Sequence, residues 1–231
     1  MMTSLGVQMK CKDATVVMAG GQSWGGFEIN VPVDISSAAF FLCAAAMVSG
    51  ARVTLRDVGV NPTRSGVLDA LTAAGATVRE IARRNEGGEP VADLLIEGGN
   101  PLRAFDVSGA LVPRLIDEIP VLAVLATQCD GVTTFRDASE LRVKESDRIA
   151  TVAAGLRDMG AQFETFDDGL AVHGPVQLRG ARIDAKNDHR IAMAFAVAGL
   201  VADSPTTITN AESVRSSYPD FESDLMSIAV Y

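Results

Sequence analysis

Aromatic side chains are scarce in this chain. They make up 5% of its 231 residues, so a core has to be built mainly from Ala, Val, Leu and Met, and the 48% hydrophobic content is enough for one well-filled soluble domain. Positive charge is also in deficit: 20 Lys and Arg stand against 29 Asp and Glu, giving a net charge of −9 and a pI near 4.7. That balance argues against nucleic acid as a partner, because binding phosphates over a large surface needs a basic field. No apolar run reaches the roughly 18 residues a membrane span requires, and no charged leader with a cleavage site precedes the runs. A cytoplasmic protein without membrane attachment is the expectation. The three cysteines, Cys11, Cys43 and Cys129, lack ligand-like spacing, and the last two fall in apolar helices where a buried reduced thiol is the ordinary state.

What is present is a repeat. Asp34, Asp117 and Asp188 each read as a helix-opening aspartate that leads into an almost uncharged, alanine-rich run, 38–48, 121–126 and 191–201. Runs with no polar face belong inside a fold. After each comes a strand-like stretch, VTLRDV from Val53, VTTFRDA from Val132 and TTITNAE from Thr206, and then an amphipathic helix, 65–74, 146–159 and 219–228. The pattern predicts an α/β (α+β) fold, a pseudo-threefold repeat of βαβαββ-like units with buried parallel helices inside and sheets outside. A spacing of roughly 70 to 85 residues is too long for a solenoid and suits one compact domain.

The first two units end in a strand hairpin, finishing at EGGNP near Asn100 and HGP near Pro175, whereas the third runs out at Tyr231. From Leu5 the chain reads LGVQMKCKDATVVMAGG, the same grammar of helix exit, two strands and a glycine pair. Residues 1–26 are therefore expected either to close the third unit or to be the remnant of an upstream unit. Residues 27–231 form a three-unit domain, divided at about 27–103, 104–180 and 181–231. Two methionines at the start, just before a helix exit, suggest a boundary set by an internal start codon or by design.

Charge clusters sit at the starts of helices. RVKESDR, from Arg142 to Arg148, leads into the second unit's amphipathic helix, with Ser146 and Asp147 able to cap it and Lys144 and Arg148 read as one turn apart on its face. NDHR, from Asn187 to Arg190, precedes the third buried run, where Asp188 can cap and Arg190 can offer a bidentate guanidinium. A helix N-terminus beside cations suits a phosphate or carboxylate. Arg142, Lys144, Arg148, Arg190 and Arg215 occupy corresponding ends of the units, so convergence on one face is expected, against the alternative of ordinary solvated charges.

RVKESDR, NDHR, IDEIPVLAV from Ile116, VNPTRSGVLDAL from Val60, DISSAAFF from Asp34 and SYPDF from Ser217 resemble, in order along nearly the whole chain, the C-terminal domain of the 5-enolpyruvylshikimate-3-phosphate synthase family. The resemblance implies an enolpyruvyl transferase-like fold and a transferase of the shikimate pathway, the route to chorismate and the aromatic amino acids and the target of glyphosate. The enolpyruvyl group of phosphoenolpyruvate moves to the 5-hydroxyl of shikimate 3-phosphate and phosphate is released. It also implies a complementary N-terminal domain that this chain lacks, so activity is expected only when that half is supplied. Neither a cofactor nor a metal is implied.

Carried over by the resemblance, Asp117 takes the proton of the attacking hydroxyl, Glu145 serves the methylene carbon and Lys144 assists. Arg148 and Arg190 clamp phosphoenolpyruvate, and Asp188, His189, Glu140 and Arg215 complete the substrate-binding set. Each has a plainer alternative. Asp117 would only cap its helix, with Glu118 the exposed carboxylate; Glu145 would only pair with Arg142 or Arg148; Asp188 would be structural; and His189 would orient its neighbours. His173 reads as solvent-facing in a strand-end turn. Three positions depart from the family: Val33 replaces a glycine and would narrow the first helix entrance, Ser216 replaces a lysine for which Arg215 would substitute, and Glu140 replaces an asparagine. Two further readings stay open, a folded non-catalytic fragment with residual anion binding and an enolpyruvyl transferase acting on a nucleotide sugar. A half with an exposed cleft face also makes a homodimer an expected partner state.

Overall fold

In the computed structural model, which describes residues 2–13 and 15–228, the chain opens with a 3-10 turn and a small antiparallel hairpin, β1 (Met9–Lys12) and β2 (Thr15–Met18). Val16, Val17 and Met18 are all more than half exposed. Among the described residues the hairpin pairs only with itself, and no pairing joins it to the strands of the third unit. The N-terminal segment instead reaches the first unit: Ser4 Oγ donates to the Gly87 carbonyl at 2.7 Å, and Ile29 packs against the same glycine. From residue 22 to residue 32 the chain has no regular structure.

The first unit holds α1 (Ile35–Met47), β3 (Arg52–Gly59), α2 (Gly66–Ala73), β4 (Thr77–Glu86) and β5 (Glu89–Glu97), with an antiparallel sheet in the order β3-β5-β4. The second holds β6 (Asp106–Val107), α3 (Ile119–Ala126), β7 (Gly131–Phe135), α4 (Arg148–Asp158), β8 (Gln162–Phe166) and β9 (Gly169–Gly174), in the order β6-β7-β9-β8. The third holds β10 (Arg182–Asp184), α5 (His189–Gly199), β11 (Thr207–Thr209), α6 (Val214–Ser217) and α7 (Phe221–Ile228). Each unit also has one parallel pairing before its buried helix: β6 with β7, β10 with β11, and in the first unit an isolated bridge from Val33 to Val58. In that bridge Val33 is extended and its side chain is 44% exposed, so the branched residue is accommodated at the surface.

α1, α3 and α5 pack against one another and each backs onto its own sheet. Their middles are Ala, Leu, Val and Phe at close to zero exposure, and small side chains let the backbones approach closely. The helices run in the same direction, because residues at the N-termini of all three meet in one cluster. The far ends of α1 and α3 are closed by glycine. A Cβ on Gly98 would lie 2.1 Å from the Val48 carbonyl oxygen at the end of α1, and one on Gly174 would lie 2.4 Å from the Cys129 carbonyl oxygen beyond α3. This explains the glycines of EGGNP and HGP: the strand leaves its hairpin across the end of a helix at a distance no side chain permits. Among the described residues no helix is long and apolar enough to cross a membrane.

Candidate functional site

Capping chemistry sets out the site. Asp34 accepts from the Ser36 amide at 3.1 Å, Asp188 from the Arg190 amide at 3.0 Å, and Asp147, rather than Ser146, from the Ala150 amide at 3.0 Å. Asp117 departs from this pattern. α3 is entered through a 3-10 turn, Ile116–Glu118, with Pro120 in its first turn, and Asp117 caps nothing. The tight turn points successive side chains in different directions, so Asp117 faces the neighbouring helix starts while Glu118 turns inward.

Arg148 lies at the centre and is 1% exposed. Its Nε donates to Asp188 Oδ2 at 2.8 Å, Nη1 to Asp117 Oδ1 at 2.9 Å, and Nη2 to Glu145 Oε2 at 2.5 Å and Asp188 Oδ1 at 3.3 Å. One guanidinium thus binds the starts of α3, α4 and α5 together, the kind of planar fork that satisfies several carboxylates at once. Ser146 Oγ adds a hydrogen bond to Asp188 Oδ2 at 3.0 Å. Arg190 Nη2 stands 3.6 Å from Asp117 Oδ2, and Lys144 Nζ stands 3.7 Å from Asp117 Oδ1 and 2.8 Å from Glu140 Oε1. Lys144 precedes α4, so it does not share a helix face with Arg148 as the spacing suggested.

The charges tune one another. Burial opposes ionisation of Asp117, but Arg190, Lys144 and Arg148 outweigh it and hold the carboxyl below its ordinary range. Asp188 is buried as well, and the hydrogen bonds and charge of Arg148 bring it down in the same way. Burial, then the charge of Arg190, push His189 below its ordinary value, so its ring is neutral near neutral pH. Glu118 goes the other way: it is 2% exposed, and burial raises its carboxyl against the partial relief of Ser36 and Arg190. The alternative that made Glu118 the exposed carboxylate is therefore reversed.

The five basic residues expected on one face do not all converge. Arg142 Nε and Nη2 donate to the carbonyls of Asp167 and Phe166, both at 2.7 Å, and Nη1 to Asp147 at 3.0 Å, which ties it to the β8–β9 turn. Arg215 is exposed on α6 and takes no part in the cluster's ion pairs among the described residues, and Ser216 beside it is exposed too. Glu145 is about half exposed, and His173 is a partly exposed residue of β9 with Glu164 3.6 Å away. Beside the cluster opens a cleft of about 460 Å³ lined by Arg64, Arg114, Asp117, Glu118, Asp137 and Glu140 among others. Arg64 and Ser36 were not among the sequence candidates. Arg64 Nη2 donates to Ser36 Oγ at 3.3 Å, and both stand in motifs, VNPTRSG and DISS, that carried the family resemblance without a site role. The arrangement offers an ionised carboxylate beside a lysine and two arginines at converging helix N-termini, suited to taking a proton next to bound anions.

A family model described as EPSP synthase (3-phosphoshikimate 1-carboxyvinyltransferase) matches residues 1–225. A protein named 3-phosphoshikimate 1-carboxyvinyltransferase from Bacillus cereus (strain ATCC 10987 / NRS 248) is 44% identical over 230 residues, covering 99% of this chain and 53% of the relative. Its namesake from Synechococcus sp. (strain RCC307) is 47% identical over 211 residues, covering 91% and 48%. A solved EPSP synthase from Acinetobacter baumannii superimposes with a TM-score of 0.94 at 39% identity, over 99% of this chain and 53% of that one. The enolpyruvyl transferase NikO from Streptomyces tendae, at 18% identity and a TM-score of 0.75, shares the fold. The chain spans about half the length of the curated relatives it matches.

Proposed function

The chain belongs to the EPSP synthase family, and from that premise we propose that it supplies one half of an active site that joins phosphoenolpyruvate to shikimate 3-phosphate. In this reading Asp117, ionised at neutral pH, accepts the proton of the 5-hydroxyl as its oxygen bonds to the central carbon of the enolpyruvyl group. Glu145, with Lys144 beside the same carboxylate cluster, delivers a proton to the methylene carbon. The C–O bond to phosphate then breaks, and loss of the added proton restores the double bond. Arg190 and Lys144 bind the carboxylate and phosphate charges, while Arg148, enclosed by Asp117, Asp188 and Glu145, fixes where those groups stand. His189 and Glu140 border the same region, and Arg215 would join only by movement of α6. The observation that carries the reading is the meeting of Asp117 with Arg148, Arg190 and Lys144 beside an open cleft.

The chain spans about half the length of the relatives it matches, which supports a complementary N-terminal domain as the partner needed for turnover. Within the chain, residues 1–26 are assigned to a remnant hairpin and 27–231 to the three-unit domain. The names of the curated relatives disfavour a nucleotide-sugar acceptor. Phosphate release from the two substrates, measured with this chain alone and then with a matching N-terminal half, tests the proposal. Turnover is expected only in the mixture, and Asp117→Ala should lower it by about a hundredfold or more. A folded chain that stays silent in both arms would overturn it in favour of a non-catalytic fragment. Sedimentation at several concentrations decides the homodimer: a mass fixed at 24.2 kDa rules it out.

A further inference from the structure

Glu118 has no place in the chemistry above, yet it is the most conspicuous carboxyl of the cluster. It occupies the cap position of α3 without capping it, it is 2% exposed, and its Oε1 has no hydrogen-bond donor within reach among the described residues. Burying a carboxyl so poorly partnered is unfavourable, and an apolar residue would fill the same space without that penalty. Its surroundings show what it serves. From α5, Arg190 Nη1 stands 3.7 Å from Oε1 while the other end of the same guanidinium faces Asp117. From α1, the Ser36 hydroxyl favours the ionised form of the carboxyl, and it accepts from Arg64 Nη2 at 3.3 Å. Asp117 adjoins it on the same turn, and Cys43 of α1, held as a neutral thiol chiefly by burial, feels its charge.

One buried carboxyl thus stands beside Arg190 of the third unit and, by way of Ser36, Arg64 of the first. We infer that Glu118 is a positioning residue: it holds Arg190 directly, and Arg64 through Ser36, so that the free N–H groups of both project toward an anion in the cleft. Without it Arg190 loses the carboxylate that balances Asp117 and turns onto the base, and Arg64 loses its anchor. Arg64 thereby becomes a second anion-facing cation, contributed by the first unit to a site otherwise built from the second and third. The anion-binding part of this inference rests on the reading of the site given above; the positioning part does not.

The test uses the 231-residue chain, isotope-labelled, and compares side-chain N–H exchange of arginines in the wild type, Glu118→Gln and Ser36→Ala. Glu118→Gln keeps the shape and should speed exchange at Arg190 Nη1 by about tenfold, in line with the loss of its charged partner 3.7 Å away. Ser36→Ala should speed exchange at Arg64 and leave Arg190 unchanged, which keeps the inference testable if the glutamine variant fails to fold. Unchanged exchange at Arg190 in Glu118→Gln, or at Arg64 in Ser36→Ala, overturns it. Titration with inorganic phosphate gives the second arm: Glu118→Gln should weaken binding about tenfold, and equal binding by variant and wild type counts against the inference. A wild type that binds no phosphate weakens the transferase reading, while the exchange comparison still decides the role of Glu118.

Discussion

In the second unit β7 carries β6 on one edge and β9 on the other, with β8 beyond, whereas in the third unit, among the described residues, β11 is paired with β10 alone. The inner halves of the two units match far better: each has a buried helix whose start contributes a carboxylate to Arg148, Asp117 from the one and Asp188 from the other. The comparison separates two demands that a repeat usually meets together. Site geometry comes from helix starts and is complete in both units. Sheet closure comes from the returning hairpin and is present in only one. The third unit is therefore held to the rest by its helix and its ion pairs more than by its strands, since an open strand edge contributes few backbone hydrogen bonds.

Removing the tie between the two units should have the largest effect. Arg148→Ala leaves Asp188 buried without its main partner, and a destabilisation of about 3–5 kcal/mol is expected, read by urea unfolding. A loss below about 1 kcal/mol would mean that α5 is held by packing alone. A smaller effect should appear on acidification. Asp117 and Asp188 have folded pKa values below their ordinary 3.8, so their contribution is complete above that value and disappears as pH falls through the folded ones. Glu118 has the opposite sign: raised from 4.5, it contributes most below that value and its contribution is lost as pH rises through the folded one. Glu118→Gln should therefore gain stability relative to the wild type as pH rises toward neutral, and a constant difference across pH would contradict this. The smallest effect is local: amides on the open edge of β11 should exchange on the order of tenfold or more faster than those of β7, and equal protection would show that another segment covers the edge in solution.

The inner layer of the fold was legible because its signal is local. Uncharged alanine-rich runs after Asp34 and Asp188 leave no choice but burial, and both aspartates cap as read. Asp117 and Glu118 were not separable, since neighbouring acids before Ile119-Pro120 look alike until a 3-10 turn sends one toward the arginines and the other into the interior. Arg148 posed the same difficulty. Among Glu145, Ser146 and Asp147 it reads as a surface ion pair, and only Asp188, distant in sequence, shows it to be enclosed. Arg142 misled because two of its three partners are backbone carbonyls of a turn, which carry no mark in sequence.

The glycine seals over the ends of α1 and α3 also bear on where foreign sequence can be grafted. At Gly98 and Gly174 a shift of one residue would drive a side chain into carbonyl oxygens, so neither joint admits an insertion without unfolding its unit. The stretch from residue 22 to residue 32, largely exposed and free of regular structure, meets no such barrier. A tether, a tag or a fused module would be absorbed there while the three-helix centre stays intact.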